Sequence, residues 1–158
     1  MAVELIVGNV PYQYPEPGES PGWGEGATGW AEKVTEILQS IVNANDILET
    51  AFTVDNNTAA ATNVTSLAFN TTSVRAAEID YSIYRATDAP TELTETGKML
   101  IVYKNTANTW FLTRTTSGDD TGVEFTITTT GQIQYTSTDI SGANYVGIMK
   151  FRAKSLQQ

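Results

Sequence analysis

At 158 residues the chain is long enough for one compact domain with an appended segment, and too short for two full domains. Its formal charge of −9 argues against nucleic acid as a partner, because a phosphate backbone is bound through clustered Lys and Arg. The absence of Cys and His excludes disulfides, thiolate chemistry, His/Cys zinc sites and imidazole general bases.

Met1-Ala2-Val3-Glu4-Leu5-Ile6-Val7 has no basic residue ahead of its apolar run, and no later run approaches bilayer-spanning length. These features predict synthesis and folding in a cytoplasm, with no membrane partner. Residues 1–29 read as an extended arm. From Asn9 onward Pro11, Pro15, Pro17 and Pro21 alternate with Gly18, Gly22, Gly24, Gly26 and Gly29, a mixture that disfavours a regular helix or a central strand. Disordered linkers are poor in large apolar side chains, yet this stretch holds Tyr12, Tyr14 and Trp23. Those rings either fold back on the protein's own domain or dock on a neighbouring subunit.

From Trp30 the pattern becomes helical. Trp30, Val34, Ile37, Leu38, Ile41 and Val42 recur on one side, and Glu32, Lys33, Glu36, Gln39 and Ser40 fall on the other. Residues 30–46 are thus expected to form an amphipathic helix and its terminating turn. Thr28 is placed to cap the start, Glu25 and Glu32 sit near the positive end of the dipole, and Asn43-Ala44-Asn45-Asp46 supplies the stop. Two covers suit the apolar stripe: the β domain of the same chain, or an oligomer axis. The candidate interface is therefore Tyr12, Tyr14, Trp23, Trp30, Val34, Ile37 and Ile41.

Residues 47–158 have the texture of a β-sandwich or barrel-like domain, rich in Thr and other β-branched residues. Strands are predicted at 47–54, 66–70, 73–86, 98–104, 109–114, 122–128, 132–136 and 144–154. Ala77, Ile79, Tyr81 and Ile83 alternate with Glu78, Asp80, Ser82 and Tyr84, so that strand has one wet or partner-facing side. In the last strand Tyr145, Gly147, Met149, Phe151 and Ala153 alternate with Val146, Ile148, Lys150 and Arg152, which predicts a central position. Short links at 105–108 and 129–131 read as hairpins, and the whole as an antiparallel meander.

Chemistry is sparse. Asp119-Asp120 is the densest acidic pair of the β region, and Asp55-Asn56-Asn57 also offers oxygen ligands, but both read as solvated turns rather than Ca²⁺ or acid–base sites. No S-x-x-K motif replaces a histidine base, and the glycines before residue 30 lack phosphate-loop spacing. No cofactor is expected. Sequons at Asn56, Asn63 and Asn70 mark Thr-rich surface segments. Trp110 with Tyr103 suits either a glycan-stacking platform or a buried cross-strand pair.

The segment from Pro11 to Ala31 resembles a leader of tailed-phage structural proteins. Ile79-Asp80-Tyr81-Ser82-Ile83-Tyr84-Arg85, Gly131-Gln132-Ile133-Gln134-Tyr135-Thr136-Ser137 and Met149-Lys150-Phe151-Arg152-Ala153 are similar to a β domain of phage and prophage proteins. The resemblance implies a non-enzymatic virion protein, of capsid decoration or cement type, or else a tail, neck, baseplate or fibre module binding a receptor or glycan. It also implies other virion proteins as partners, the virion as location, and a homo-oligomer, by analogy a trimer.

Overall fold

A computed structural model describes residues 3–7, 10–14, 28–35, 45–89 and 91–157. The chain forms two compact units, Met1–Ala44 and Asn45–Gln158.

In the first unit β1 (Val3–Val7) and β2 (Val10–Tyr14) pair antiparallel, from Val3 opposite Tyr14 to Val7 opposite Val10. The arm expected over residues 1–29 thus begins with a hairpin, and its residues 15–27 lie outside the described ones. Each strand of a two-stranded sheet is an edge, so Pro11 can lack an N–H without breaking a ladder on both sides. Residues 28–35 are helical, with Thr28 inside the helical segment rather than ahead of it. The Thr35 hydroxyl donates back to the Ala31 carbonyl at 2.8 Å, which satisfies a helical Thr locally.

The second unit is a sandwich of two antiparallel sheets, not a closed barrel. Its strands are β3 (Ile47–Thr53), β4 (Thr62–Ala68), β5 (Val74–Ala86), β6 (Glu92–Lys104), β7 (Thr109–Gly118), β8 (Val123–Ile127), β9 (Gln132–Ser137) and β10 (Val146–Gln157). One sheet has the order β3-β10-β5-β6-β7 and the other β4-β9-β8. All eight strands expected after residue 46 are present. The expected meander holds only for β5-β6-β7, because β10 inserts between β3 and β5 and β4 joins the second sheet. The central place expected for β10 is the one it takes.

The hairpin between β6 and β7 turns through Asn105–Ala107 and closes at Asn108, whose φ of 47° is the left-handed conformation that Asn tolerates. Alternating residues of both sheets fill the interior: Ile79, Tyr81, Met99, Ile101, Met149 and Phe151 from one, Val64, Leu67, Val123, Phe125, Ile133 and Tyr135 from the other. Edge-on ring contacts cross between the sheets, Phe52 to Tyr135 at 5.3 Å and Tyr81 to Phe125 at 5.4 Å. Such pairs are worth about 0.5–1.5 kcal/mol beyond the area they bury.

Candidate interaction surface

A strand that faces core on one side and water on the other should be polar outside. The five-stranded sheet departs from this. Leu48, Tyr84, Leu100, Val102, Phe111, Val146, Ile148 and Leu156 are its exposed large apolar residues, and no strand of the three-stranded sheet has one. Their grouping follows from register. Leu156 lies opposite Ala76, Ala76 opposite Val102, and Val102 opposite Phe111, so one apolar row crosses four strands on the outer face. Leu100 stands two residues along β6 from Val102, on the same side. Phe111 is 56% exposed and Leu156 68%, too much surface for side chains that merely cover a core margin. Ala76, Leu100, Val102 and Leu156 line a shallow groove of about 350 Å³ there.

The next rows carry ion pairs. Asp80 accepts from Arg152 Nε at 3.1 Å and lies 3.3 Å from Lys98 Nζ, which also pairs with Glu78; Lys150 lies 3.7 Å from Glu49. The Asp80 carboxyl is held below the usual range: burial pushes it up, but the bonds from Arg152 and Lys98 outweigh that. Exposed pairs of this kind contribute little to stability. Their larger effect is to make the band nearly neutral in a protein of charge −9, so a second protein can approach it without strong repulsion.

Two charged side chains of the sandwich, Glu95 and Arg85, are buried. Glu95 is buried at the sheet interface, where its Oε1 accepts from the Tyr81 hydroxyl at 2.6 Å and from Arg114 Nη2. Its Oε2 accepts from the Thr121 hydroxyl at 2.8 Å. Burial pushes this carboxyl up, yet the hydrogen bonds from Tyr81, Arg114 and Thr121 together hold it below the usual glutamate range. Burial and the bond to Glu95 push the Tyr81 hydroxyl far above the usual tyrosine range, against the opposing Arg114. Arg114 also donates to the Val123 carbonyl at 2.6 Å, so one side chain ties β7 to β8 across the sandwich.

Arg85 is fully buried too, among neutral acceptors: the Tyr145 hydroxyl at 2.9 Å, Asn56 Oδ1 at 2.9 Å, the Thr138 carbonyl at 2.6 Å and the Thr121 carbonyl. Asn56, read from sequence as part of a solvated turn, is thus a partner of a buried arginine. Asp119 and Asp120 hold their own turn, accepting from the backbone N–H groups of Thr94 and Gly122 at 2.9 Å each. Trp110 and Tyr103 are buried with ring centroids 4.9 Å apart, so they are the cross-strand pair and not a surface platform.

Of the interface residues expected from sequence, Tyr12 and Tyr14 lie on β2, while Trp30 and Val34 stand one turn apart on the helical segment, the former exposed and the latter half-buried. Trp23, Ile37 and Ile41 lie outside the described residues. The outer row of the five-stranded sheet was not foreseen. Its signal is present in Met99-Leu100-Ile101-Val102-Tyr103, an apolar run without alternation, which in a one-sided sheet must expose every second member.

No family model matches the chain, and no curated protein sequence does. Among solved structures it is similar to the tailspike protein of Acinetobacter phage vB_ApiP_P1, with a TM-score of 0.45 and 13% identity over 69% of this chain. The match spans 22% of the tailspike's length.

Proposed function

We propose that this chain is a structural protein of a tailed-phage particle, a decoration-type subunit that works by laying the outer face of its five-stranded sheet against another virion protein and performs no catalysis. The observation that carries the reading is the row Leu156, Ala76, Val102 and Phe111, bordered by a charge-balanced band, on one side of a sandwich whose other side is polar. A one-sided sandwich suits attachment to a surface, with the polar sheet left toward solvent. The sequence resemblance to phage structural proteins supplies the particle as the setting. The Trp110–Tyr103 pair does not serve a glycan-binding reading, since both rings are buried.

The test is to purify particles from the phage that encodes the chain, identify their proteins by mass spectrometry, and locate this one by microscopy. Expected is a stoichiometric component on the head shell, with Lys98 and Lys154 shielded from amine-reactive reagent in the particle and labelled in the free chain. Absence from the particle would overturn the virion reading. Presence on the tail would overturn the decoration role alone.

A further inference from the structure

Among the described residues the sandwich has four sheet edges, β3 and β7 in one sheet and β4 and β8 in the other. An uncovered edge offers a row of unpaired backbone groups, and proteins usually blunt it with charge, proline, a bulge or brevity. Three of the four edges are blunted. The pairing of β3 with β10 shifts register, and β3 carries Glu49. β4 shifts register against β9 and holds Ser66 at a φ of 67°. β8 has five residues and an outward Glu124.

β7 has none of these devices. It runs for ten residues in unbroken register with β6, from Thr109 opposite Lys104 to Gly118 opposite Glu95. Its one charged residue, Arg114, turns inward to Glu95 and also lies 3.4 Å from Glu124 of β8. Its outward residues are Phe111, Thr113, Thr115 and Ser117, none of them charged.

Register also fixes which backbone groups are free. The Asp119 N–H donates to the Thr94 carbonyl at 2.9 Å, continuing the same pairing, so odd-numbered residues of β7 bond to β6. The N–H and C=O groups of Trp110, Leu112, Arg114 and Thr116 therefore point away from β6, where no described strand lies. An antiparallel copy of β7 centred on Thr113 would pair Leu112 with Arg114 and Trp110 with Thr116, using every one of those groups. Thr113 would stand opposite itself as a non-hydrogen-bonded pair, and Phe111 opposite Thr115. This centre overlaps nearly the whole strand, roughly 33 Å of ladder, and opposes no like charges. It also carries the apolar row, which ends at Phe111, up to the junction.

We infer that β7 is a self-pairing edge: two copies of this chain join their five-stranded sheets across a two-fold axis at Thr113. The occupant is a second copy because the strand is complementary to itself in charge and in hydrogen-bond phase. Such pairing makes a dimer rather than the trimer expected by analogy, and it stands or falls independently of the particle role.

The experiment is sedimentation equilibrium of the wild-type chain and of Thr113→Lys, together with oxidative crosslinking of Thr113→Cys and Glu124→Cys, each the sole cysteine in its variant. Expected are a wild-type dimer, a Kd raised about tenfold or more by lysines facing each other at the axis, and rapid disulfide linkage of Thr113→Cys but not of Glu124→Cys. Thr113 is on the outer face, so both variants should keep the wild-type circular dichroism. A monomeric wild type at tens of micromolar, a dimer or trimer indifferent to Thr113→Lys, or equal linkage of the two cysteine variants would overturn the inference.

Discussion

The outward side of the five-stranded sheet carries Leu100, Val102, Phe111 and Leu156, whereas that of the three-stranded sheet carries Asn63, Gln134, Thr126 and Glu124. Both sheets contribute apolar faces to one core. The difference is therefore not required by folding: a sandwich needs inward Ile, Tyr and Met, but nothing in its core asks for an outward Phe111. Apolar side chains kept in water on one face only are best explained by something that covers them.

The two sheets are held as one body by a buried polar bridge, and that bridge is the place to break them apart. Glu95→Ala should lower stability by roughly 3–5 kcal/mol, because it takes the buried acceptor from Tyr81, Arg114 and Thr121 and leaves Arg114 only the exposed carboxylate of Glu124; chemical denaturation reads this directly. Gly97→Ala should cost about 1–3 kcal/mol, since a Cβ there would lie 2.5 Å from the Thr115 carbonyl and 2.7 Å from the Tyr81 hydroxyl.

Acid should loosen the same bridge. The Glu95 carboxyl titrates lower in the folded chain than in the unfolded one, so its contribution is fully present above the ordinary glutamate range and is lost as pH falls through the folded value. The slope from this one group is at most about 1.4 kcal/mol per pH unit. Denaturation midpoints measured from pH 6 downward should fall less steeply in Glu95→Gln than in the wild type over that window. On the outer face the effects on folding should be smaller still. Lys98→Met, which removes the exposed pairs to Glu78 and Asp80, should leave the denaturation midpoint almost unchanged.

The strands of the sandwich were legible because their alternation is local: Ile79, Tyr81 and Ile83 announce their own face within a few residues. The extent of β6 was not. It begins at Glu92, six residues before the predicted start, because the Thr- and Glu-rich lead-in looks like a loop until Arg114, nineteen residues beyond Glu95, is brought to that carboxylate. Arg85 was illegible for the same reason, its acceptors being supplied by Asn56, Thr121, Thr138 and Tyr145. The interaction face is an intermediate case. Each outward apolar residue was visible, but their union into a row depends on β10 lying beside β5, a pairing that local pattern does not encode.

The most direct test concerns binding without loss of fold. Leu100→Ser, Val102→Ser and Phe111→Ser combined should leave the sandwich folded, and the same number of serines placed at Asn63, Thr126 and Gln134 serves as the matched change on the other sheet. Association with particles lacking the chain should be abolished by the first set and retained by the second. Retention by the first set, or equal loss in both, would contradict the assignment of this face as the interaction surface.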